Sequence, residues 1–165
     1  MHKPFLNNRY AKTNVVETLA PSMDISVASN FERLLYNLYD NDSAVLAKNM
    51  RSFPEKPIEI PLSKQEYISD FFKSFRSNDE EIIEQIRSTY QETNYLLDPH
   101  TATGVRACNA LSDHNDPVIT MGTAHPAKFT DAIEKAVHEY DFSLPKKVKK
   151  AFDHEEARGA GGSEA

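Results

Sequence analysis

Two short segments hold the side chains best suited to chemistry, because each combines a hydroxyl residue, a histidine, a proline and a glycine. The first, at positions 98–104, reads DPHTATG, and the second, at positions 122–129, reads GTAHPAKF. Each follows a short apolar run, which is typical of a strand that leads into a turn. Ligands of open α/β sheets bind beyond the carboxyl ends of the strands, so these two turns are the predicted site.

Both segments also fit a purely structural role, since Asp, Thr and His side chains can cap helices. Asp98 or Thr101 would then cap the helix after the first run, and Thr123 or His125 would cap the next one. A metal site is not predicted, because neither histidine segment offers a further ligand at suitable spacing. Serine-hydrolase chemistry lacks its G-x-S-x-G turn. Cys108, the single cysteine, is interpreted as a small buried apolar residue, and it excludes a disulfide framework within the chain.

Helices must carry most of the chain, because capping-box patterns recur ahead of apolar stripes. The patterns are SNFE at 29–32, SKQE at 63–66 and SNDE at 77–80, and a further short helix is predicted over 43–50. Prolines at 54, 57 and 61 predict an extended connector. We expect the stripes to be buried; their residues are Phe31, Leu34, Leu35, Leu38; Tyr67, Ile68, Phe71, Phe72, Phe75; and Ile82, Ile83, Ile86, Tyr90.

Two strands are predicted in the second half of the chain, at 95–97 and 118–121. A helix over 101–111 lies between them, and another follows Pro126 with a stripe that reaches Tyr140. This order implies a parallel strand pair with a right-handed crossover. The predicted fold class is therefore α/β, helix-rich with a short parallel strand pair. Two strands alone leave unpaired edges, so the sheet looks incomplete.

Composition narrows the function classes. The 165 residues carry 25 acidic and 19 basic side chains, a formal charge of −6, which argues against nucleic acid as the main partner. Neither a run of about 20 apolar residues nor a signal-peptide block is present, so we expect no membrane association and a cytoplasmic location. Three of the 5 glycines lie at 159–162, which leaves too few elsewhere for a phosphate-cradling loop.

The domain organisation predicted from these patterns has three parts. Residues 1–22 form an extended N-terminal segment, residues 23–152 form the folded α/β portion, and residues 153–165 form a flexible tail. The basic run KKVKK at 146–150 is interpreted as a solvated helix end.

Three blocks, taken together, closely resemble the longer bacterial and fungal branch of the threonine synthase family. They are SMDISVASNFERLL at 22–35, YLLDPHTATGV at 95–105 and TAHPAKF at 123–129, in the family's order. The resemblance covers positions 15–136 and corresponds to the last third of the family's chain. It implies the tryptophan-synthase β-like fold, fold type II of the enzymes that use pyridoxal phosphate. It also implies conversion of O-phospho-L-homoserine and water to L-threonine and phosphate.

The resemblance further implies a set of site residues. Thr123 matches the hydroxyl that contacts the pyridine nitrogen of the cofactor, and Asp98 matches a turn that carries an acid near the ring. Residues expected to line the same pocket are His100, Thr101, His125 and Lys128. The family's Schiff-base lysine and cofactor-phosphate loop belong to sequence upstream of this chain. No catalytic residue is therefore assigned here, and the chain alone is expected to be inactive.

Two alternatives remain open at this point. Another lyase of the same cofactor group, such as a threonine dehydratase-like enzyme, would fit the fold but not the three blocks. A non-catalytic module that binds a partner through an open sheet edge would fit the short length.

Overall fold

The computed structural model describes residue 5 and residues 7–112 and 116–138 of the chain. Strands β1 (Arg9–Tyr10) and β2 (Ile58–Glu59) form the sheet of this part. The helices are α1 (Phe31–Leu38), α2 (Ser43–Ser52), α3 (Gln65–Phe71), α4 (Asp79–Thr93), α5 (Pro99–Leu111) and α6 (Thr130–Ala136). Single 3₁₀ turns occur at Pro21–Met23, Leu62–Lys64 and Pro126–Lys128. None of the helices in the described ranges is long and apolar enough to cross a membrane.

The first apolar core joins the sheet to the early helices. Tyr10 of β1 stacks on Phe53 with ring centroids 4.5 Å apart, and its hydroxyl donates to the Ala28 carbonyl at 3.3 Å. The Ala28 amide donates back to that hydroxyl at 3.0 Å, so this buried polar group is satisfied on both sides. Burial raises the pKa of Tyr10 despite the Ala28 hydrogen bond. The core comprises Tyr10, Ala28, Phe31, Leu35, Leu38, Phe53, Ile58, Ile60 and Ile68.

The second core lies where α4 packs against α5 and α6. It comprises Ala20, Ile82, Ile86, Leu97, Ala102, Ile133 and Ala136. Polar contacts link the same helices, since Arg106 of α5 pairs with Glu81 of α4 at 2.7 Å. Arg87 Nε of α4 donates to the Ala136 carbonyl at 3.1 Å, which satisfies an end group of α6. The two predicted turns, at 98–104 and 122–129, lie next to the helices of this core.

The predicted strand pair is wrong in position and direction. The observed sheet pairs β1 with β2 antiparallel, with Arg9 opposite Glu59 and Tyr10 opposite Ile58. Segments 95–97 and 118–121 are instead connecting backbone outside any helix or strand. A strand needs a hydrogen-bonded neighbour, and within the described ranges neither segment has one.

The helix predictions are confirmed, but several of their details are wrong. The capping boxes expected at 29–32 and 63–66 do not form, because α1 and α3 have Asn30 and Lys64 at their N-caps without side-chain bonds. The third box forms one residue later than expected, between Asn78 and Glu81. The stripe predicted at 67–75 is largely exposed rather than buried, with Phe71 70% exposed, and α3 ends at Phe71, so Phe72 and Phe75 lie beyond the helix.

The predicted features near the chain ends have mixed outcomes. The N-terminal segment is irregular as expected over 11–18, but it also supplies β1. The connector with three prolines supplies β2. Tyr140, the basic run at 146–150 and the tail at 153–165 lie outside the described residues.

Candidate functional site

The site is built on the N-terminus of α5. Helix α4 ends at Thr93, and the left-handed backbone of its C-cap, Asn94 (φ 57°), turns the chain into the segment 95–98. Asp98 then caps α5, accepting the backbone N–H groups of His100 at 2.9 Å and Thr101 at 3.3 Å. Pro99 occupies the first helical position, where a missing N–H costs nothing. The capping role considered for Asp98 is therefore confirmed.

The carboxyl group of Asp98 is only 1% exposed and receives four hydrogen bonds. In addition to the two backbone donors, it faces the His100 ring at 3.2 Å through Nδ1, and it accepts the Thr101 hydroxyl. Burial alone would raise the pKa of Asp98, but the hydrogen bonds from Thr101 and His100 outweigh it and lower that pKa overall. The side chain is thus held as a carboxylate.

The His100 ring is a neutral hydrogen-bond bridge. The Ser22 amide donates to Nε2 at 3.0 Å, so Nε2 carries no proton and Nδ1 must carry it. Nδ1–H then donates to Asp98. The ring is 4% exposed and lies against Phe129, with ring centroids 4.7 Å apart. A single buried side chain therefore touches the segments around positions 22 and 129, which are far apart in the sequence.

Thr123 is brought to α5 through its backbone. Its N–H donates to the Thr101 hydroxyl oxygen at 3.0 Å, and the two hydroxyl oxygens are 3.5 Å apart. Thr101 is buried, whereas Thr123 is exposed. The side chain of Thr123 consequently presents a hydroxyl at the surface of an otherwise buried polar network.

The other two predicted residues occupy the 3₁₀ turn Pro126–Lys128 and its N-cap. His125 Nδ1 accepts the Ala127 N–H at 3.2 Å, which confirms the capping role considered for it. Both His125 and Lys128 are exposed. The structure therefore joins Asp98, His100, Thr101 and Thr123 into one network, with His125 and Lys128 on the chain segment that follows it.

Two contacts of this network had no signal in the residue pattern. One is the Ser22 amide on His100, and the other is the Met23 sulfur, which lies 3.1 Å from the Thr103 hydroxyl oxygen; that hydroxyl donates to the His100 carbonyl at 2.7 Å. Both depend on chain placement across about 80 positions. The sequence signals these contacts only through the block SMDI at 22–25. That block resembles the family, but the resemblance assigns its residues no role. Beside the network, a groove of about 560 Å³ runs between α5 and 118–121, with half-buried Cys108 in its wall.

The chain matches a family model described as threonine synthase, C-terminal, over residues 101–158. Among curated proteins it is 37% identical over 158 residues to the threonine synthase of Pseudomonas aeruginosa, covering 94% of this chain and 34% of that one. It is 35% identical over 160 residues to the threonine synthase of Saccharomyces cerevisiae, covering 82% and 31%. The chain thus spans about a third of the length of these relatives.

Two solved structures share its fold. One is the pyridoxal-phosphate-bound threonine synthase of Brucella melitensis, with a TM-score of 0.82, 32% identity and coverage of 89% of this chain and 32% of that one. The other is the yeast threonine synthase, with a TM-score of 0.82, 33% identity and coverage of 91% and 34%. The predicted fold class, the C-terminal part of a fold type II enzyme, is confirmed by this similarity.

Proposed function

Because this chain belongs to the threonine synthase family, as the C-terminal portion of such a protein, we propose that it forms part of the cofactor site of a lyase. The proposed reaction converts O-phospho-L-homoserine and water to L-threonine and phosphate. The observation that carries the proposal is the convergence on α5 of the three blocks that resemble the family. They meet at His100 and Thr101 through Ser22, Phe129 and Thr123.

The described residues fit one end of a bound pyridoxal phosphate. Thr123 offers an exposed neutral hydroxyl, which can hydrogen-bond a pyridine nitrogen without forcing that nitrogen to be protonated, as a carboxylate would. The bound cofactor supplies an electron sink for negative charge that develops on substrate carbon. The glycines of the described part are Gly104, inside α5, and Gly122, which are too few for a glycine-rich phosphate loop in this part.

The remaining residues are assigned by their positions. Asp98, His100 and Thr101 lie buried behind Thr123, where they hold it in place and keep water from that side of the ring. His125 and Lys128, both exposed on the following turn, are assigned to the mouth of the pocket, where the Lys128 charge can attract the substrate phosphate. The Schiff-base lysine and the cofactor-phosphate loop are assigned to the family's upstream sequence. Neither the dehydratase-like alternative nor the non-catalytic module is favoured by the comparisons.

The proposal is tested on the native polypeptide that carries this sequence. We expect phosphate release from O-phospho-L-homoserine when pyridoxal phosphate is bound, and no comparable turnover of L-threonine. Thr123→Asp should change the cofactor absorption spectrum and lower kcat about 100-fold, as loss of a preorganised polar contact does at other active sites. Thr123→Ser, which keeps the hydroxyl, should stay within about threefold of the wild type.

The matched control is Thr130→Asp, which places the same acid at the start of α6, where a negative charge suits the helix dipole. Its activity should equal that of the wild type. Absence of phosphate release by the wild-type protein would refute the proposed reaction. Full activity of Thr123→Asp would remove Thr123 from the cofactor site.

A further inference from the structure

Asp98 exposes no carboxylate oxygen to a ligand. Its carboxyl group is buried and accepts two backbone amides, the His100 ring and the Thr101 hydroxyl. Oδ1 receives three of these bonds and Oδ2 receives the Thr101 hydroxyl, so both oxygens are engaged inside a side chain that is only 1% exposed. Asp98 therefore cannot act on a cofactor directly, and any effect it has must pass through the residues that donate to it.

Thr101 carries that effect outward. Its single hydroxyl proton is committed to Asp98, so its oxygen faces the other side as an acceptor only. There it accepts the Thr123 N–H at 3.0 Å. The Thr101 oxygen is consequently a fixed anchor for the Thr123 backbone.

The direction of these bonds determines what the Thr123 hydroxyl can do. Since Thr101 has no proton to give, the Thr123 oxygen at 3.5 Å receives none from it. The Thr123 hydroxyl keeps its own proton, and because the side chain is exposed an outside acceptor can receive that proton. An unprotonated pyridine nitrogen is such an acceptor.

Asp98 sets the direction of these bonds, because a carboxylate can only accept, and the His100 ring adds one more donor to it. The Ser22 amide occupies Nε2, so the ring proton stays on Nδ1 and points at Asp98. His100 and Thr101 both donate to Asp98, and the relay runs from the Thr123 N–H to the Thr101 oxygen and from the Thr101 hydroxyl to Asp98.

We propose that Asp98 is a positioning residue, which acts through Thr101 to hold the Thr123 backbone in place and to keep the Thr123 hydroxyl a hydrogen-bond donor to the cofactor ring. This inference rests on the proposed function. It changes the role of Asp98 from a contact of the ring to a residue one step removed from it.

The test is Asp98→Asn in the native polypeptide. The substitution keeps the size of the side chain but replaces one acceptor oxygen with an NH₂ group that donates to Thr101, which frees the Thr101 proton to turn toward Thr123. We expect kcat to fall about tenfold, with KM for O-phospho-L-homoserine within about twofold of the wild type, because the change concerns the ring and not substrate binding. The cofactor absorption maximum should move as well.

A measurement on the cofactor-free protein tests the relay by itself. The Thr123 amide is anchored only as firmly as the Thr101 oxygen, so its hydrogen exchange should be about tenfold faster in Asp98→Asn. The matched control is Asp42→Asn. Asp42 caps α2 through two backbone amides, at 2.9 and 3.0 Å, but belongs to no such relay. This control makes the same change at another capping aspartate and should leave the Thr123 exchange, the absorption spectrum and kcat unchanged.

The outcomes separate the two proposals. A folded Asp98→Asn protein that matches Asp42→Asn in exchange, spectrum and kcat overturns the positioning role. If Asp98→Asn does not fold, Thr101→Val and Thr101→Ser decide, since only the serine variant keeps the relay; equal behaviour of the two overturns the inference. If the wild type binds no pyridoxal phosphate and releases no phosphate, the proposed function fails. The amide exchange of Thr123 still tests the relay in that case.

Discussion

Replacement of His100 by alanine should be among the most destabilising single changes in the described part of the chain. The ring is 4% exposed and has three separate partners: Asp98, Ser22 and Phe129. Alanine removes the bond to the Asp98 carboxylate, for which a hydrogen bond to a charged group contributes about 1.5–3 kcal/mol. It also leaves that buried carboxylate with one donor fewer.

The other two contacts add smaller amounts. The Ser22 amide lies on an exposed residue and can turn to water, so its bond contributes about 0.5–1 kcal/mol. The ring pair with Phe129, at 4.7 Å between centroids, contributes about 0.5–1.5 kcal/mol. The expected loss of unfolding free energy is about 3–5 kcal/mol, a large part of the roughly 5–15 kcal/mol that stabilises a typical domain.

The assay is urea unfolding of the native polypeptide at pH 7, followed by circular dichroism, with His125→Ala as the control. His125 is exposed and makes one capping bond, to the Ala127 amide at 3.2 Å, so its loss should cost only about 1 kcal/mol. If the two alanine variants unfold at the same urea concentration, the reasoning that places His100 at the centre of the network is wrong.

Two further predictions concern stability. The folded-state pKa of Asp98 is lowered from its ordinary value of 3.8. The stability that the Asp98 carboxylate contributes is therefore present above pH 3.8 and is lost as the pH falls through the lower folded-state value. The difference in unfolding free energy between wild type and Asp98→Asn, measured by urea unfolding, should shrink from pH 7 to about pH 3. Asn78→Ala removes the capping box with Glu81 and should cost about 1–2 kcal/mol in thermal unfolding, whereas Asn37→Ala, on the exposed face of α1, should cost none; equal melting temperatures would contradict the capping argument.

The helices were predictable because a buried helical face leaves a periodic trace. Phe31, Leu35 and Leu38 recur at helical spacing and are all buried on α1. The exact caps were not predictable, because several polar residues lie together at each helix start. At α4 the N-cap is Asn78 rather than the preceding serine. The aromatic stripe on α3 misled for a related reason: spacing shows which residues share a face, but not whether anything covers that face, and Phe71 is 70% exposed.

The observed sheet could not be predicted from the sequence. Strands β1 and β2 have two residues each, too few for an alternating pattern, and they pair across about 50 positions. The runs at 95–97 and 118–121 carry strand-forming residues. A strand is stabilised by a neighbouring strand, however, and residue propensity does not show whether a neighbour is present.

The site was half predictable. Asp98 and Thr101 lie within one helical turn, so their contact follows from local spacing. The approach of Thr123 to Thr101 across 22 positions was anticipated only as two turns that meet at one edge. The amide of Ser22 on His100, across 78 positions, carries no side-chain signal at all, because the donor is backbone.

The mixture of near and distant partners at His100 has a consequence for how the molecule assembles. The bonds among Asp98, His100 and Thr101 span at most three positions, so they can form as soon as α5 begins to coil. The bonds to Ser22 and Thr123 require closure of loops of 78 and 22 positions, which is slower because loop closure costs conformational entropy before the contact forms. The hydrogen bonds at the start of α5 therefore form early in folding. The network is complete only when the Ser22 amide binds Nε2 of His100, which fixes the ring proton on Nδ1.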